Sequence, residues 1–166
     1  MANPGEETIE AYLVDEGSHC IRFVPTSAIA YFFIATAFEF INASWTGELT
    51  LRDRAVYIRT RAGQTFRAIG FRSLTQVRDD IDSKNFLKVH RSILLNVCCV
   101  GHVNPRGKRK EVGLRLQRES HTIFVSRVGL KELRKKLKAC GGGRTSPSRP
   151  TRRGRAPRSR VSSSAS

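Results

Sequence analysis

The chain of 166 residues is long enough for one modest domain with tails, and this length makes a two-domain enzyme an unfavourable interpretation. It contains 30 Lys and Arg residues against 14 acidic residues, and its formal net charge of +16 predicts a polyanionic partner, with nucleic acid as the default. Charge defines only the class of the ligand, because a solvated basic surface has a similar composition.

The N-terminal end of the chain, residues 1–19, predicts a short flexible leader. Its opening, MANPGEETIE, is polar and acidic and therefore unlike a signal peptide. The longest apolar run, residues 28–38, is far shorter than the roughly 20 residues that a membrane-spanning helix needs. We therefore expect a cytoplasmic protein.

Residues 20–139 are predicted to form one domain, in which apolar residues recur mostly with a period of two. The segment AVYIRTR places Val56 and Ile58 on one face and Arg59 on the other, which predicts a half-buried strand. The residues RAGQ then turn the chain back into a second strand at residues 64–69. An antiparallel hairpin is the expected result.

The first helical period begins after this hairpin. The sequence Ser73-Leu74-Thr75-Gln76 fits a capping box, in which the side chains of Ser73 and Gln76 satisfy backbone N–H groups at the helix start. Three apolar residues with helical spacing form the expected buried stripe, namely Leu74, Val77 and Ile81. The pair Asp82-Ser83 is expected to end the helix.

The C-terminal part of the domain predicts a second hairpin followed by a basic helix. Residues 111–117 and 121–126 both alternate between apolar and polar side chains, and only three residues separate them. The helix has its apolar stripe at Leu130, Leu133 and Leu137, while its other faces are rich in Lys and Arg. We expect the two helices to cap a β core.

The composition changes sharply at Cys140, and residues 140–166 predict a disordered basic tail. Seven arginines and no acidic residue follow Cys140, and large apolar residues almost disappear. The tail therefore carries +7 of the net charge, which leaves +9 on residues 1–140.

The four cysteines, Cys20, Cys98, Cys99 and Cys140, lack the C-x-x-C spacing of a metal site, and an adjacent pair does not easily close an ordinary disulfide. His90 lies near two of them in sequence, and a Cys–His pair can form a nucleophile. The run around Cys98 is apolar, however, and would bury at least one thiol and raise its pKa. No phosphate-binding loop or carboxylate pair accompanies it. The sequence thus predicts no enzyme, no cofactor and no metal.

One segment, FLKVHRSILLN at residues 86–96, interrupts its large apolar residues with a Lys-x-His-Arg-Ser cluster. A buried strand would avoid such residues unless they faced water or a charged partner. This segment, followed about 30 residues later by Val125-Ser126-Arg127 and a short basic helix, resembles the LytTR DNA-binding domain of bacterial transcriptional regulators. The upstream strands and first helix resemble that family too, so that the resemblance covers residues 20–138.

The resemblance implies an elongated, mainly β domain of antiparallel hairpins capped by two short helices. Its loops, rather than a recognition helix, would enter successive major grooves of promoter DNA. The predicted DNA-binding residues are Arg72, Lys88, His90, Arg91, Ser126 and Arg127. Arg91 is the first choice for a base contact, since its planar guanidinium can donate two hydrogen bonds to O6 and N7 of guanine.

Several residues of the cluster also have a structural interpretation. His90 is equally compatible with a neutral imidazole that orders a turn through a backbone hydrogen bond. Ser92 and Asn96 are expected to hold the turn through side-chain hydrogen bonds to the backbone rather than to contact bases. Lys88 and the basic run 108–110 would attract phosphates without reading sequence.

Three features depart from the LytTR pattern. Residues 33–54 are longer than the family's usual link and suggest an extra strand pair, in which Trp45 is expected to be a packing residue. Val128 follows Arg127 where the family often has a polar or basic residue, so the second loop is expected to read fewer bases. Only about 20 residues precede the domain, so we expect no receiver domain of its own.

We therefore predict a sequence-specific transcriptional regulator of the LytTR type whose partner is double-stranded DNA. A homodimer on tandem repeats and a separate sensor or regulator protein are the further partners considered. The alternative is a sequence-indifferent basic protein, associated with RNA or the nucleoid, in which the Arg-rich tail supplies most of the affinity. Exposed aromatic side chains that stack on bases would favour that alternative.

Overall fold

The computed structural model describes residues 5–14, 20–42, 54–81, 84–104, 110–117 and 119–140. Within these ranges the strands are β1 Thr8–Leu13, β2 Ile21–Pro25, β3 Ile29–Ile34, β4 Ile41–Asn42, β5 Val56–Thr60, β6 Thr65–Ala68, β7 Phe86–His90, β8 Ile93–Asn96, β9 Val100–Asn104, β10 Lys110–Arg115 and β11 Ser120–Val125. The α-helices are α1 Leu74–Asp80 and α2 Arg127–Ala139, and short 3₁₀ turns lie at Thr26–Ala28, Ala35–Phe40 and Val97–Cys99.

The strands form two antiparallel sheets. The larger sheet has seven strands in the order β2-β1-β6-β5-β3-β8-β7, and the smaller has the order β4-β11-β10-β9. Strands β5 and β6 form one predicted hairpin, and β10 and β11 form the other. The mainly β class with two helices is confirmed, and β2 and β7 lie at opposite edges of the larger sheet.

The larger sheet is covered by apolar residues on both faces. Because side chains of a strand alternate between faces, Phe33 enters the core shared with the smaller sheet and α2, while Phe32 enters the core beneath α1. The prediction that β5 is half-buried is wrong, since Tyr57 and Arg59 on its second face are each only 2% exposed. The smaller sheet covers that face, which the local pattern of β5 could not reveal.

A chain of polar groups crosses the space between the two sheets. Arg59 on β5 donates to Thr65 Oγ1 at 2.7 Å and to Glu119 Oε2 at 3.1 Å. Glu119 Oε2 also lies 2.6 Å from Nε2 of His121 on β11, and His121 Nδ1 lies 3.4 Å from the Tyr31 hydroxyl. The hydrogen bond with His121 lowers the pKa of Glu119, while burial lowers the pKa of His121. These contacts satisfy polar groups that burial would otherwise leave unpaired.

The expectation of a flexible leader does not hold for residues 8–13. They form β1, which lies between β2 and β6 and buries Ile9 and Ala11. The alternation in TIEAYL is too short to stand out in the sequence, and the segment becomes a strand because partners on both sides pair with it. Residues 1–4 and 15–19 lie outside the described residues.

The predicted insertion at residues 33–54 is only partly described. Its first two residues belong to β3, an interior strand of the larger sheet, and β4 pairs with β11 rather than with a strand from the same segment. Residues 43–53, with Trp45, lie outside the described residues, as does the predicted tail beyond Cys140. In the part of the chain that the structure describes, neither helix has the length and apolar composition that crossing a membrane requires.

Candidate functional site

The turn between β7 and β8 carries three of the predicted site residues. Lys88 and Arg91 are exposed there, and His90 is half-buried. Lys88 pairs with Leu94 and His90 pairs with Ile93, so a bulge leaves Val89 without a partner in β8. The bulge lies in the Lys-x-His-Arg-Ser cluster and frees the carbonyl group of Val89 for another bond.

Side chains inside the turn hold its shape. The Nδ1 atom of His90 accepts a hydrogen bond from the Ser92 backbone N–H at 3.2 Å, which requires a neutral imidazole. Burial, and then the charge of Arg91, lower the pKa of His90. The buried Ser92 hydroxyl bonds to Thr36 Oγ1 at 2.8 Å, so its described partner is a side chain and not the backbone group that the sequence predicted. The structural interpretation of His90 thus has a direct geometric basis.

Asn96 also has the structural role that the sequence suggested. Its Nδ2 group donates to the Ile29 carbonyl oxygen at 2.9 Å, and its Oδ1 atom accepts from the Cys98 backbone N–H at 3.0 Å. Cys99 is buried, and burial raises the pKa of its thiol, while Cys98 is exposed. A neutral buried thiol is a poor nucleophile.

The second predicted loop begins α2 and is bonded to the first. Ser126 is the N-cap of α2, and its hydroxyl accepts from the Gly129 backbone N–H at 2.9 Å. The same hydroxyl donates to the Val89 carbonyl oxygen at 3.1 Å, and the Ser126 backbone N–H donates to that oxygen at 3.0 Å. Arg127 follows at the first helical position and is exposed. The single hydroxyl proton of Ser126 is therefore committed to the protein.

Close packing at the start of α2 depends on a glycine. A Cβ atom added to Gly129 would lie 2.0 Å from the Val89 carbonyl oxygen, which is far inside van der Waals contact. Only a residue without a side chain allows α2 to approach β7 this closely. The helix start and the bulge are thus fixed relative to each other.

Arg72 is positioned by the capping residues of α1. Ser73 is the N-cap, and its hydroxyl accepts from the Gln76 backbone N–H at 3.1 Å, as the capping box predicts. The reciprocal bond differs, because Gln76 Oε1 accepts from the Arg72 backbone N–H at 3.1 Å. Gln76 Nε2 also donates to the Gly70 carbonyl oxygen. The backbone that carries Arg72 is thereby tied to the helix.

A concavity of about 590 Å³ brings Arg72 together with Lys88 and Arg91. A fourth cation, Arg54, also lines it, and none of the described residues along its walls is acidic. None of the four forms an ion pair with another described residue. Four positive charges around one concavity, without an ion pair to any described residue, favour an anionic ligand. We call this surface the basic concavity.

Arg54 was missed at the sequence level. It lies two residues before β5, has a positive φ of 63°, and follows residues outside the described part of the chain. A neighbouring concavity of about 340 Å³ shares Arg54 and Arg72 with the first and adds Arg67 from β6. Nothing in the local pattern sets Arg54 apart from other arginines, since only the fold brings it into one concavity with Lys88 and Arg91.

The other three predicted residues, His90, Ser126 and Arg127, do not line the basic concavity. Ser126 is joined to strand β7 of the concavity through its hydrogen bonds to the Val89 carbonyl oxygen. Beyond them α2 presents further exposed cations to solvent, namely Lys131, Arg134, Lys135 and Lys138. A third concavity, of about 620 Å³, adjoins β2 and contains none of the predicted site residues. The described residues include no group of three or more His, Cys, Asp or Glu residues suited to a metal ion.

Comparisons with known proteins identify the family and the fold of this chain. A family model described as the LytTr DNA-binding domain matches residues 19–138. Among solved structures, the chain is similar to a LytTr DNA-binding domain of a response regulator from Bacillus cereus, with 16% sequence identity and a TM-score of 0.54. That match covers 80% of this chain and 98% of the other chain. No curated protein sequence matches this one.

Proposed function

The chain belongs to the LytTR family of DNA-binding domains, and from this premise we propose that it is a sequence-specific transcriptional regulator. It reads duplex promoter DNA through its loops in the major groove, and it acts by binding rather than by catalysis. The observation that carries the proposal is the basic concavity, where Arg54, Arg72, Lys88 and Arg91 meet and where none of the described lining residues is acidic. A chromosomal ligand also implies a location in the cytoplasm.

The residues of this surface divide into two roles. Arg91 is exposed on a turn and carries a planar fork of donors, which suits a bidentate contact to guanine. Lys88, Arg72 and Arg54 line the basic concavity and suit phosphate oxygens, which position a protein without specifying sequence. Base reading and phosphate attraction are thus separable by mutation.

The start of α2 supplies the second contact in this proposal. Arg127 is exposed there, next to a cap that is bonded to the bulge of β7. His90 and Ser126 enter the proposal chiefly as residues that hold the two loops, because each already bonds the protein backbone. A fixed spacing between Arg91 and Arg127 would let both contact one DNA site without reordering.

The alternative of a sequence-indifferent single-strand binder requires aromatic platforms near the cations. Among the aromatic residues whose burial is described, Phe23 is the exposed one, at 65%. It lies on β2, at the edge of the larger sheet opposite to β7. The exposed ring and strand β7, which contributes Lys88 to the basic concavity, therefore lie at opposite edges of the larger sheet. This separation favours duplex DNA over a single strand as the ligand.

In-vitro selection of random duplex DNA by the purified full chain tests the proposal. We expect enrichment of a short motif, repeated in tandem if two copies bind together. Arg91→Ala should fold normally. The motif that this variant enriches should have lost its base preference at the position that Arg91 reads. Absence of any enriched motif with the wild-type protein would instead support the sequence-indifferent alternative.

A further inference from the structure

Val128 is an exposed apolar residue in a charged surrounding. Its side chain is 73% exposed, and only Ile21 and Phe23, both on the distant strand β2, are comparable among the large apolar residues that the structure describes. The buried face of α2 is formed by other residues, namely Gly129, Leu130 and Leu133. On the helix surface the neighbours of Val128 are Lys131 and Glu132, three and four positions on. Packing of the core therefore does not explain this valine.

The position of Val128 is held firmly. It is the second residue of α2, directly between Arg127 and Gly129, and the Ser126 cap joins this turn to the carbonyl group of Val89. A β-branched side chain in a helix has one strongly preferred rotamer, so it loses little conformational freedom on contact with a ligand. Val128 thus presents a rigid apolar group beside a proposed base-reading residue.

The major groove offers one apolar group among its polar base edges, which is the C5-methyl group of thymine. We propose that Val128 contacts a thymine methyl group and thereby specifies an A·T pair next to the base that Arg127 reads. This inference rests on the proposed function and adds a specificity-determining residue to it. The contact would remove both methyl surfaces from water, which a charged or polar side chain at this position would not do.

The test uses the duplex enriched by in-vitro selection and replaces its thymines, one at a time, by deoxyuridine. This replacement removes only the methyl group and leaves the hydrogen-bonding edges intact. We expect one position at which the wild-type protein loses about fourfold in affinity, the effect of one buried methyl-sized group. Val128→Ala should bind the thymine and uracil duplexes at that position equally well. The four affinities form a cycle that cancels any effect of the methyl group on the DNA alone.

Lys138→Ala, an exposed substitution in the last turn of the same helix, is the control and should preserve the fourfold difference. Val128→Ala should also retain the wild-type unfolding midpoint, since the residue is exposed. The inference is overturned if every deoxyuridine duplex behaves alike for wild type and Val128→Ala, or if the variant weakens both duplexes equally. A change in oligomeric state with no change in the thymine-to-uracil ratio would also overturn it, by making Val128 a protein contact. Failure to enrich any motif would contradict the proposed function itself, which keeps the two failures distinct.

Discussion

The carbonyl oxygen of Val89 accepts two hydrogen bonds from Ser126, one from the backbone N–H at 3.0 Å and one from the hydroxyl at 3.1 Å. Val89 lies two residues before Arg91, and Ser126 lies one residue before Arg127. The two segments proposed to touch DNA are therefore bonded to each other through Val89 and Ser126. Neither of these residues is proposed to contact a base. This relationship explains why a bulge in β7 and a glycine in α2 accompany the basic cluster.

Gly129→Ala should destabilise the protein, although Ala normally favours a helix over Gly by about 1 kcal/mol. The added Cβ atom would lie 2.0 Å from the Val89 carbonyl oxygen, so α2 must move away from β7. We expect a loss of about 1–3 kcal/mol in the free energy of unfolding, as in other overpacked sites. Urea denaturation measures it, with the exposed Val128→Ala substitution as the control. A Gly129→Ala variant as stable as wild type would contradict the close approach described here.

Local pattern was sufficient for the elements whose signals lie within a few residues. The capping pair Ser73 and Gln76, the stripe of Leu130 and Leu133, and the two hairpins follow from periodicity and turn residues, and the structure confirms them. Resemblance to a family, rather than periodicity, was needed to single out Arg91. None of these features depends on knowing which distant strands pair.

The features that the sequence did not predict all depend on distant pairing. Strand β1 exists because β2 and β6 lie on either side of it, and Arg59 is buried because β11 brings Glu119 and His121 over β5. Arg54 joins the basic concavity only because the fold brings the start of β5 into one concavity with Lys88 and Arg91, which are distant in sequence. Such neighbours are set by the fold, and a single sequence offers no local signal for them.

Arg91→Ala and Arg127→Ala should each lower the preference for the selected site over random DNA by about 1–3 kcal/mol, the value of a bidentate base contact. Both side chains are exposed, so the thermal unfolding midpoint should stay nearly unchanged. Binding titrations on both duplexes, with thermal unfolding in parallel, provide the measurement. Loss of the folded state in either variant would show that the arginine is structural.

Leu133→Ala should lower stability, whereas the two arginine substitutions should lower only the preference for the selected site. Leu133 is 0% exposed in the core beneath α2, and its truncation should cost about 2–5 kcal/mol of stability. Binding by this variant should fall only as far as the folded fraction falls.

Arg54→Asn and Arg72→Ala should reduce the salt dependence of binding without changing sequence preference. Each removes one cation from the basic concavity, and each lost phosphate contact lowers the slope of log K against log salt by about 0.9. Asn is chosen at position 54 because it tolerates a positive φ. Arg22→Ala, on the opposite edge strand β2, is the matched control and should leave the slope unchanged. Equal slopes for all four proteins would remove the basic concavity from the interface.

Acid should destabilise the protein partly through His90. The pKa of this imidazole is lowered from its ordinary value of 6.5, first by burial and then by Arg91, and its Nδ1 atom must stay unprotonated to accept from Ser92. Below about pH 6.5 the unfolded chain therefore binds more protons than the folded one, and the free energy of unfolding falls as the pH falls. Burial lowers the pKa of His121 as well, so this residue contributes with the same sign.

His90→Asn isolates the contribution of His90, because an amide oxygen can accept from the Ser92 N–H at any pH. Urea denaturation from about pH 7.5 to 5.5, across the ordinary titration of histidine, should show a smaller loss of stability for this variant than for wild type. A pH dependence as steep as that of wild type would show that His90 does not titrate as its contacts indicate.

Truncation after Cys140 should separate affinity from specificity. The removed segment contains seven arginines and no acidic or large aromatic residue, a composition that attracts phosphates without reading bases. If about three of these arginines contact phosphates at once, the slope of log K against log salt should flatten by about 3 units. The loss applies to every duplex alike, so the ratio of target to random-DNA affinity should stay nearly constant.

Binding of the full chain and the truncated chain to both duplexes across a salt series is the measurement. An unchanged slope would show that the segment makes no phosphate contact, whereas a collapse of the ratio would show that it reads the site, as arginines in a narrow minor groove can.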